Sequence, residues 1–167
     1  EESERLELSL QIINDVLAKL DKKDWRGFGL AVQAYDRRAP YVIDKVAEFA
    51  KFYDMTLQVR LVKGAYWDGE IKRAQVGGWN DYPVFQRKSQ TDLSYLACAQ
   101  KLLGLRGIIY PMFATHNAYT AAAILDLAGD NKAGFEFQRL HGMGSSLGDI
   151  LVGEEKLPVT IYAPVGP

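Results

Sequence analysis

The sequence predicts an α/β fold that forms part of a (β/α)8 TIM-like barrel, with about five βα units in the chain. Short apolar runs alternate with segments whose apolar residues recur every three or four positions, which is typical of βαβ units and a parallel sheet. The units repeat roughly every 25–30 residues, close to complete barrels, which hold eight units in about 250 residues. Because five units cannot close an eight-stranded barrel, an open, doubly wound sheet is the alternative.

Amphipathic periodicity predicts an N-terminal helix over residues 1–24. One face of this helix carries Leu6, Leu10, Ile13, Leu17 and Leu20. A charged stretch ends it, and the pattern then changes to the βα alternation. We therefore predict two parts, the helix over 1–24 and a partial barrel domain over 25–167.

Short apolar runs predict the strands, and they lie at 28–35, 56–62, 107–113, 134–140 and 159–163. Helices are predicted between them at 39–53, 91–103, 118–128 and 145–152. Pro40 suits the first turn of its helix and Asn117 can cap the helix that follows it. Leu93 is expected to face inward. The stretch 64–83, rich in Gly, Trp and Asp, is predicted as a long functional loop.

The composition is that of a globular protein. The 167 residues include 20 Lys+Arg and 21 Asp+Glu, which gives a formal net charge of −1, and 48% of the residues are hydrophobic. A disordered chain would be more polar, and a nucleic-acid binder that relies on bulk positive charge would be far more basic. We therefore expect no nucleic-acid contact from this segment.

Targeting signals are not evident in the sequence. It contains no run of about 18 apolar residues for a membrane span, and its first residues do not resemble a signal peptide. Its single cysteine, Cys98, excludes an internal disulfide. These observations predict a cytoplasmic location. The chain has no initiator Met and stops just after an apolar run, so we expect a fragment of a longer protein.

Polar side chains follow every predicted strand, where parallel α/β folds place their chemistry. They include Gln33, Arg60, Lys63, the trio Thr115-His116-Asn117, Gln138 and Tyr162. Together with the aromatic rings of Tyr35, Tyr66 and Trp67, they suit a flat, partly anionic ligand.

Arg60 lies inside an apolar strand, where an unpaired guanidinium is costly. One interpretation is a buried ion pair, and the other is a donor to a bound anion or an electron-rich ring. Lys63 has three interpretations: a Schiff-base lysine, a point charge for phosphate, or a solvated loop residue.

Thr115, His116 and Asn117 open a predicted helix, whose N-terminus attracts anions, although simple capping explains them equally. Two histidines without neighbouring carboxylates argue against a metal site, and we predict none. Neither of the two common nucleotide-binding loop signatures follows a strand.

Several strings, in this order, resemble one known family. They are LAVQAY at 30–35, VRLVKGAYWD at 59–68, EIKRAQ at 70–75, YPVF at 82–85, TDLSYLACA at 91–99, FATHNA at 113–118, EFQRLHGMG at 136–144 and IYAPVG at 161–166. This set resembles the proline dehydrogenase domain of the bacterial bifunctional proline utilisation flavoenzymes. The resemblance covers about residues 25–166.

The resemblance implies a distorted (β/α)8 barrel that holds FAD at the carboxyl ends of its strands. It implies oxidation of L-proline to Δ1-pyrroline-5-carboxylate by hydride transfer to flavin N5, with the electrons passed to a membrane quinone. The expected partners are therefore L-proline, a quinone and a pyrroline-5-carboxylate dehydrogenase domain in the parent chain. The resemblance also implies peripheral association with the inner membrane, where the quinone would be reduced.

The resemblance also assigns roles to residues. Those expected to bind FAD are Gln33, Arg60, Val62, Lys63, Gly64, Ala65, Trp67, Thr115, His116, Asn117, Gln138 and Leu140. Those expected to wall the proline pocket are Tyr66, Leu140 and Tyr162. Arg60, Tyr66 and Tyr162 are the expected catalytic residues, with Arg60 near N5.

The sequence departs from the family in three respects. The early strands, with a Lys and an Asp near the flavin, and the last helix, with a paired Arg that grips the proline carboxylate, are not in this sequence. Met112 stands where the family pattern leads us to expect Gln. We therefore predict weak proline binding and little or no turnover by this chain alone. Two alternatives stay open: a non-catalytic barrel fragment, and a Schiff-base or phosphate-binding barrel enzyme that uses Lys63.

Overall fold

A computed structural model describes residues 3–20 and 27–163. The strands are β1 (Gly29–Gln33), β2 (Leu57–Val62), β3 (Ile109–Ala114), β4 (Glu136–Leu140) and β5 (Val159–Tyr162). A short 3₁₀ turn, Ser3–Arg5, precedes the helices. These are α1 (Leu6–Leu17), α2 (Ala39–Phe52), α3 (Trp67–Val76), α4 (Lys88–Gly104), α5 (Ala118–Ala128) and α6 (Ser145–Gly153).

The five strands form one parallel sheet in the order β1-β2-β3-β4-β5. Each strand therefore pairs with the next strand along the chain. A doubly wound sheet would reverse its winding direction at a switch point, whereas a barrel adds its strands sequentially. The sheet is thus wound like a barrel segment, which confirms the predicted fold class over the open alternative.

The two faces of the sheet differ in burial. On β2 the residues Leu57, Val59 and Leu61 are fully buried and join the hydrophobic core beneath the helices. The alternate residues, including Arg60 and Val62, are only half-buried. We call the face that carries Arg60 and Val62 the inner face, because side chains alternate between the two sides of a strand.

The first helix is shorter than predicted and packs on the same core. Leu6, Leu10 and Leu17 of α1 are buried in the cluster that also contains the apolar face of α2. Ile13 and Leu20 are partly buried against it. The predicted boundary at residues 24 and 25 lies outside the described residues, so the division into two parts stays a prediction.

Two details of the prediction were wrong, the loop at 64–83 and the inward orientation of Leu93. The expected loop at 64–83 contains α3, whose first turn carries Asp68 and Glu70, where acidic residues suit the helix dipole. Helix α4 begins at Lys88, and Leu93 is 70% exposed instead of facing inward. The buried face of α4 follows Thr91, Tyr95, Cys98 and Leu102, a spacing that places Leu93 on the opposite side.

Local signals were correct elsewhere. Pro40 lies in the first turn of α2, and the Asn117 side chain accepts a hydrogen bond from the backbone N–H of Thr120 (2.9 Å) at the start of α5. No helix in the described ranges combines the length and the apolar character that a membrane span needs.

Candidate functional site

The carboxyl ends of β1, β2, β3 and β5 surround a cavity of about 620 Å³, a volume typical of small-molecule sites. The strand-end residues converge there because parallel strands all end at the same edge of the sheet. Its lining includes Ala31, Gln33, Arg60, Val62, Lys63, Gly64, Ala65, Tyr66, Lys88, Ala114, Thr115, His116, Asn117 and Tyr162. The structure therefore brings together most of the predicted site residues.

The guanidinium of Arg60 contacts two uncharged groups, a side-chain amide and an aromatic ring. Its Nε donates to Oε1 of Gln138 on β4 (2.8 Å), and its Cζ lies 4.6 Å from the centroid of the Tyr162 ring on β5. No ion pair of Arg60 forms within residues 3–20 and 27–163, so the buried-ion-pair interpretation fails for this part of the chain. The Gln138 amide and the Tyr162 ring stabilise the guanidinium, and its Nη groups are left to donate hydrogen bonds to a ligand.

Two contacts fix the loop between β2 and α3. The side-chain oxygen of Gln33 accepts a hydrogen bond from the backbone N–H of Ala65 (3.0 Å). Gly64 has φ +146°, and a Cβ placed on it would lie 1.3 Å from Cδ1 of Tyr35. Only glycine fits here, because the Tyr35 ring occupies the space of a side chain.

Lys63 lies in a three-residue ion-pair cluster. Its Nζ is 2.5 Å from Oδ1 of Asp92, and Nζ of Lys88 is 2.5 Å from Oδ2 of the same carboxylate. The two ammonium groups hold the pKa of Asp92 below its usual range. The Lys63 ammonium is engaged by a carboxylate, so the geometry suits a point charge near an anion better than a Schiff-base nucleophile.

Thr115, His116 and Asn117 lie between β3 and α5. Thr115 Oγ1 accepts from the backbone N–H of Asn117 (3.1 Å), and Asn117 itself caps α5, so capping explains two of the three. Nε2 of His116 accepts from the backbone N–H of Leu140 (2.9 Å). The imidazole is therefore neutral, with its proton on Nδ1.

Three predicted residues do not line this cavity. Trp67 borders a neighbouring cavity of about 400 Å³ with Tyr35, Lys63 and Phe85, and its Nε1 donates to the carbonyl of Phe85 (2.8 Å). Gln138 is buried beneath Arg60. Leu140 reaches the site through its backbone contact with His116. Their roles toward a ligand stay predictions.

The sequence reasoning missed two charged residues at the site. Lys88 lines the cavity, and its spacing of four residues from Asp92 on one helix was the available signal. Glu136 accepts a hydrogen bond from Nε2 of Gln138 (2.8 Å) and lies two residues before it on the same strand face. Among the residues that the structure describes, no three His, Cys, Asp or Glu side chains cluster as a metal site would require.

Comparisons with known proteins identify the family to which the chain is similar. The family model described as "Proline dehydrogenase" matches residues 1–167. The chain is 51% identical over 173 aligned positions to the bifunctional protein PutA of Escherichia coli K12 and 50% identical over 170 positions to that of Rhizobium meliloti. Each alignment covers 99% of this chain, but only 13% and 14% of these two relatives. The chain thus spans about one eighth of the relatives it matches.

Solved structures of PutA proteins are also similar to this chain. A crystal structure of proline utilization A (PutA) from Bradyrhizobium japonicum, mutant D779W, superposes with a TM-score of 0.95 at 57% identity, covering 99% of this chain and 17% of that chain. The structure of PutA from Bdellovibrio bacteriovorus inactivated by N-propargylglycine superposes with a TM-score of 0.91 at 35% identity, covering 100% and 18%.

Proposed function

Because this chain belongs to the proline dehydrogenase family, we propose that it forms the cofactor-holding half of a site that oxidises L-proline to Δ1-pyrroline-5-carboxylate. The observation that carries this proposal is the cavity at the strand ends, where Arg60, Lys63 and a neutral His116 face the same space. These residues supply cationic and neutral hydrogen-bond donors. Such a set suits an electron-rich ring attached to a phosphate.

The residues present fit FAD. Arg60 has Nη donors without protein partners in the described ranges, and the Tyr162 ring keeps its guanidinium in place. Lys63, Lys88 and the N-terminus of α5 line the same cavity and offer positive potential for a pyrophosphate. When bound there, FAD would supply the hydride acceptor, its N5 atom.

The side chains then divide the work. Arg60 donates hydrogen bonds near the reacting end of the ring, and Gln33 orients the loop at Ala65 through its own side-chain oxygen. Val62, Gly64 and Ala65 line the proposed path of the cofactor, with Trp67 in the neighbouring cavity. Thr115, His116 and Asn117 line the part proposed for its other end, and Gln138 and Leu140 would support it from behind. Tyr66 and Tyr162 line the cavity, and with Leu140 behind them they would orient proline and exclude water.

We further propose that electrons leave to a quinone at the inner membrane, with peripheral association of a cytoplasmic protein. The bifunctional relatives suggest a second dehydrogenase domain as a partner for the product. Among the described residues β1 and β5 are the two edge strands of the sheet, and we expect this chain alone to bind proline weakly and to turn it over little. The alternative of a Schiff base on Lys63 loses support because Asp92 pairs with that ammonium.

Proline oxidation by the complete gene product, followed with an artificial dye as electron acceptor, tests the proposal. Arg60→Met should lower kcat/KM on the order of 10²-fold, because it removes a charged donor from the reacting centre. Arg37→Met is the matched control, since it removes only exposed contacts, an ion pair with Asp81 and a hydrogen bond to the carbonyl of Tyr82 (3.2 Å), and should leave the rate unchanged. No proline-dependent dye reduction by the unsubstituted protein would refute the proposal.

A further inference from the structure

Two charged residues, Arg60 and Glu136, lie on the inner face of the sheet beneath the cavity, with Met112 between them. Arg60 on β2 lies in register with Met112 on β3, and Met112 lies in register with Glu136 on β4. Parallel strands are about 4.8 Å apart, so two strand spacings separate the backbones of Arg60 and Glu136 by about 10 Å. Met112 therefore stands between the cation and the carboxylate.

Gln138 bridges that gap. It is 8% exposed, and its Oε1 accepts from Nε of Arg60 at 2.8 Å. Its Nε2 donates to Oε1 of Glu136 at 2.8 Å and to Sδ of Met112 at 3.1 Å. Both amide N–H groups are thus committed to protein acceptors.

The orientation of this amide follows from its neighbours. A guanidinium only donates hydrogen bonds, and an ionised carboxylate only accepts them. Gln138 must therefore turn its oxygen to Arg60 and its nitrogen to Glu136. The Met112 sulfur contributes little to this orientation, because a thioether is only a weak hydrogen-bond acceptor. Arg60 and Glu136 therefore fix the orientation of the amide from its two ends, and Glu136 holds the end away from the cavity.

We propose that Glu136 is a positioning residue of the site: it locks the Gln138 amide and thereby fixes the guanidinium of Arg60 in the cavity. The proposal rests on the proposed flavin site, because it concerns how Arg60 meets the cofactor. Glu136 touches no ligand itself and acts through Gln138. The hydroxyl of Tyr110, 3.5 Å from Oε2 of Glu136, flanks the carboxylate on its other side.

The direction in which Glu136→Leu shifts the flavin midpoint potential distinguishes a positioning role from a through-space effect of the Glu136 charge. Removing a nearby negative charge makes a flavin easier to reduce, so a through-space role predicts a higher midpoint potential in Glu136→Leu. Losing the fixed guanidinium makes the flavin harder to reduce, so a positioning role predicts a lower potential. Glu136→Gln keeps a hydrogen-bond acceptor for Gln138, so its flavin midpoint potential should stay close to that of the unsubstituted protein.

The test is a cycle of midpoint potentials for the bound flavin in the complete gene product. Glu136→Leu and Gln138→Leu should both lower the potential in the same direction as Arg60→Met. In the Arg60→Met background, Glu136→Leu should lower it no further. Thr160→Val, the register neighbour of Gln138 on β5, is the control and should leave the potential unchanged. A rise in potential with Glu136→Leu, equal in both backgrounds, would overturn the proposal.

A second cycle needs no cofactor. In urea unfolding, the midpoint shift of Glu136→Leu combined with Arg60→Met should be smaller than the sum of the two single shifts, because both break one chain of contacts. Additive shifts would contradict the linkage. If the unsubstituted protein carries no flavin, the proposed function fails, and this second cycle still decides whether Glu136 and Arg60 are linked.

Discussion

The imidazole of His116 accepts a hydrogen bond from the backbone N–H of Leu140 at 2.9 Å, which joins the loop after β3 to the end of β4. The contact ties the helix start that faces the cavity to the strand end proposed as a wall of the proline pocket. It also sets the tautomer of the imidazole, since Nε2 must be unprotonated to accept.

His116→Ala should therefore weaken both structure and cofactor binding. The substitution leaves the N–H of Leu140 without its acceptor, so we expect a loss of about 1–2 kcal/mol in the free energy of unfolding. The bound flavin per protein should fall as well. Urea denaturation and cofactor quantification measure the two effects. His141→Ala, at an exposed position, is the control; equal effects of the two substitutions would show that the contact with Leu140 is unimportant.

Gly64→Ala should be among the most damaging small substitutions in the chain. Its Cβ would lie 1.3 Å from Cδ1 of Tyr35, at a φ of +146° that side-chain-bearing residues rarely adopt. We expect a loss of about 3 kcal/mol or more in the free energy of unfolding, because the ring belongs to a packed interior.

Gly69→Ala is the matched control for that experiment. Gly69 lies within α3, and apart from its chain neighbours and the backbone of its own helix, no described atom lies within 4 Å of the added methyl group. Since alanine favours helix, stability should be unchanged or rise by up to about 1 kcal/mol. Similar denaturation midpoints for the two variants would refute the close packing of Gly64 on Tyr35.

The Asp92 cluster should make stability depend on pH. Lys63 and Lys88 lower the pKa of Asp92 in the folded state. Its contribution is therefore complete above the ordinary carboxyl pKa of about 3.9 and is lost as the pH falls through the lower folded value. Asp92→Asn should thus lower the unfolding midpoint at neutral pH, and the difference from the unsubstituted protein should vanish in strong acid.

Asp126→Asn, at an exposed position of α5, provides the comparison for the pH series. Its difference in unfolding midpoint from the unsubstituted protein should not change between neutral and strongly acid pH. A difference for Asp92→Asn that stays constant from neutral to strongly acid pH would mean that its ion pairs add nothing to stability.

The buried carboxylate of Glu70 should anchor the N-terminal turn to α3. Glu70 is 1% exposed, and it accepts hydrogen bonds from the backbone N–H of Ser3 (2.8 Å) and from the Ser3 hydroxyl. Glu70 also forms an ion pair with Arg73 (3.5 Å). Glu70→Ala leaves the two Ser3 donors and the Arg73 cation without this acceptor, so we expect a loss of about 3–5 kcal/mol. Ser3→Ala removes one hydroxyl and should cost only about 1 kcal/mol in urea denaturation. Equal losses would contradict this account of the anchor.

Local patterns predicted most of the fold and the position of the site. The apolar runs located all five strands, and the cap at Asn117 and the proline of α2 followed from side-chain chemistry alone. Parallel strands end together, so the order of strands and polar residues along the chain was enough to place those residues at one edge of the sheet. Helix α3 was not predicted, because its many polar residues and its glycine are also typical of a loop.

Long-range partners could not be predicted in this way. The partner of Arg60 lies 78 positions away in Gln138, and that contact depends on the register of three strands. Glu70 meets Ser3 across 67 positions for a similar reason. The identity of FAD came from family resemblance, because donors and cations at a strand edge suit several anionic ring compounds.

The most direct test of the account is the visible spectrum of the complete gene product, recorded before and after proline is added without oxygen. We predict the absorption bands of an oxidised flavin, and we predict that proline bleaches them. A protein that purifies without these bands and takes up no added FAD would contradict the central claim that Arg60, Lys63 and His116 surround a flavin site.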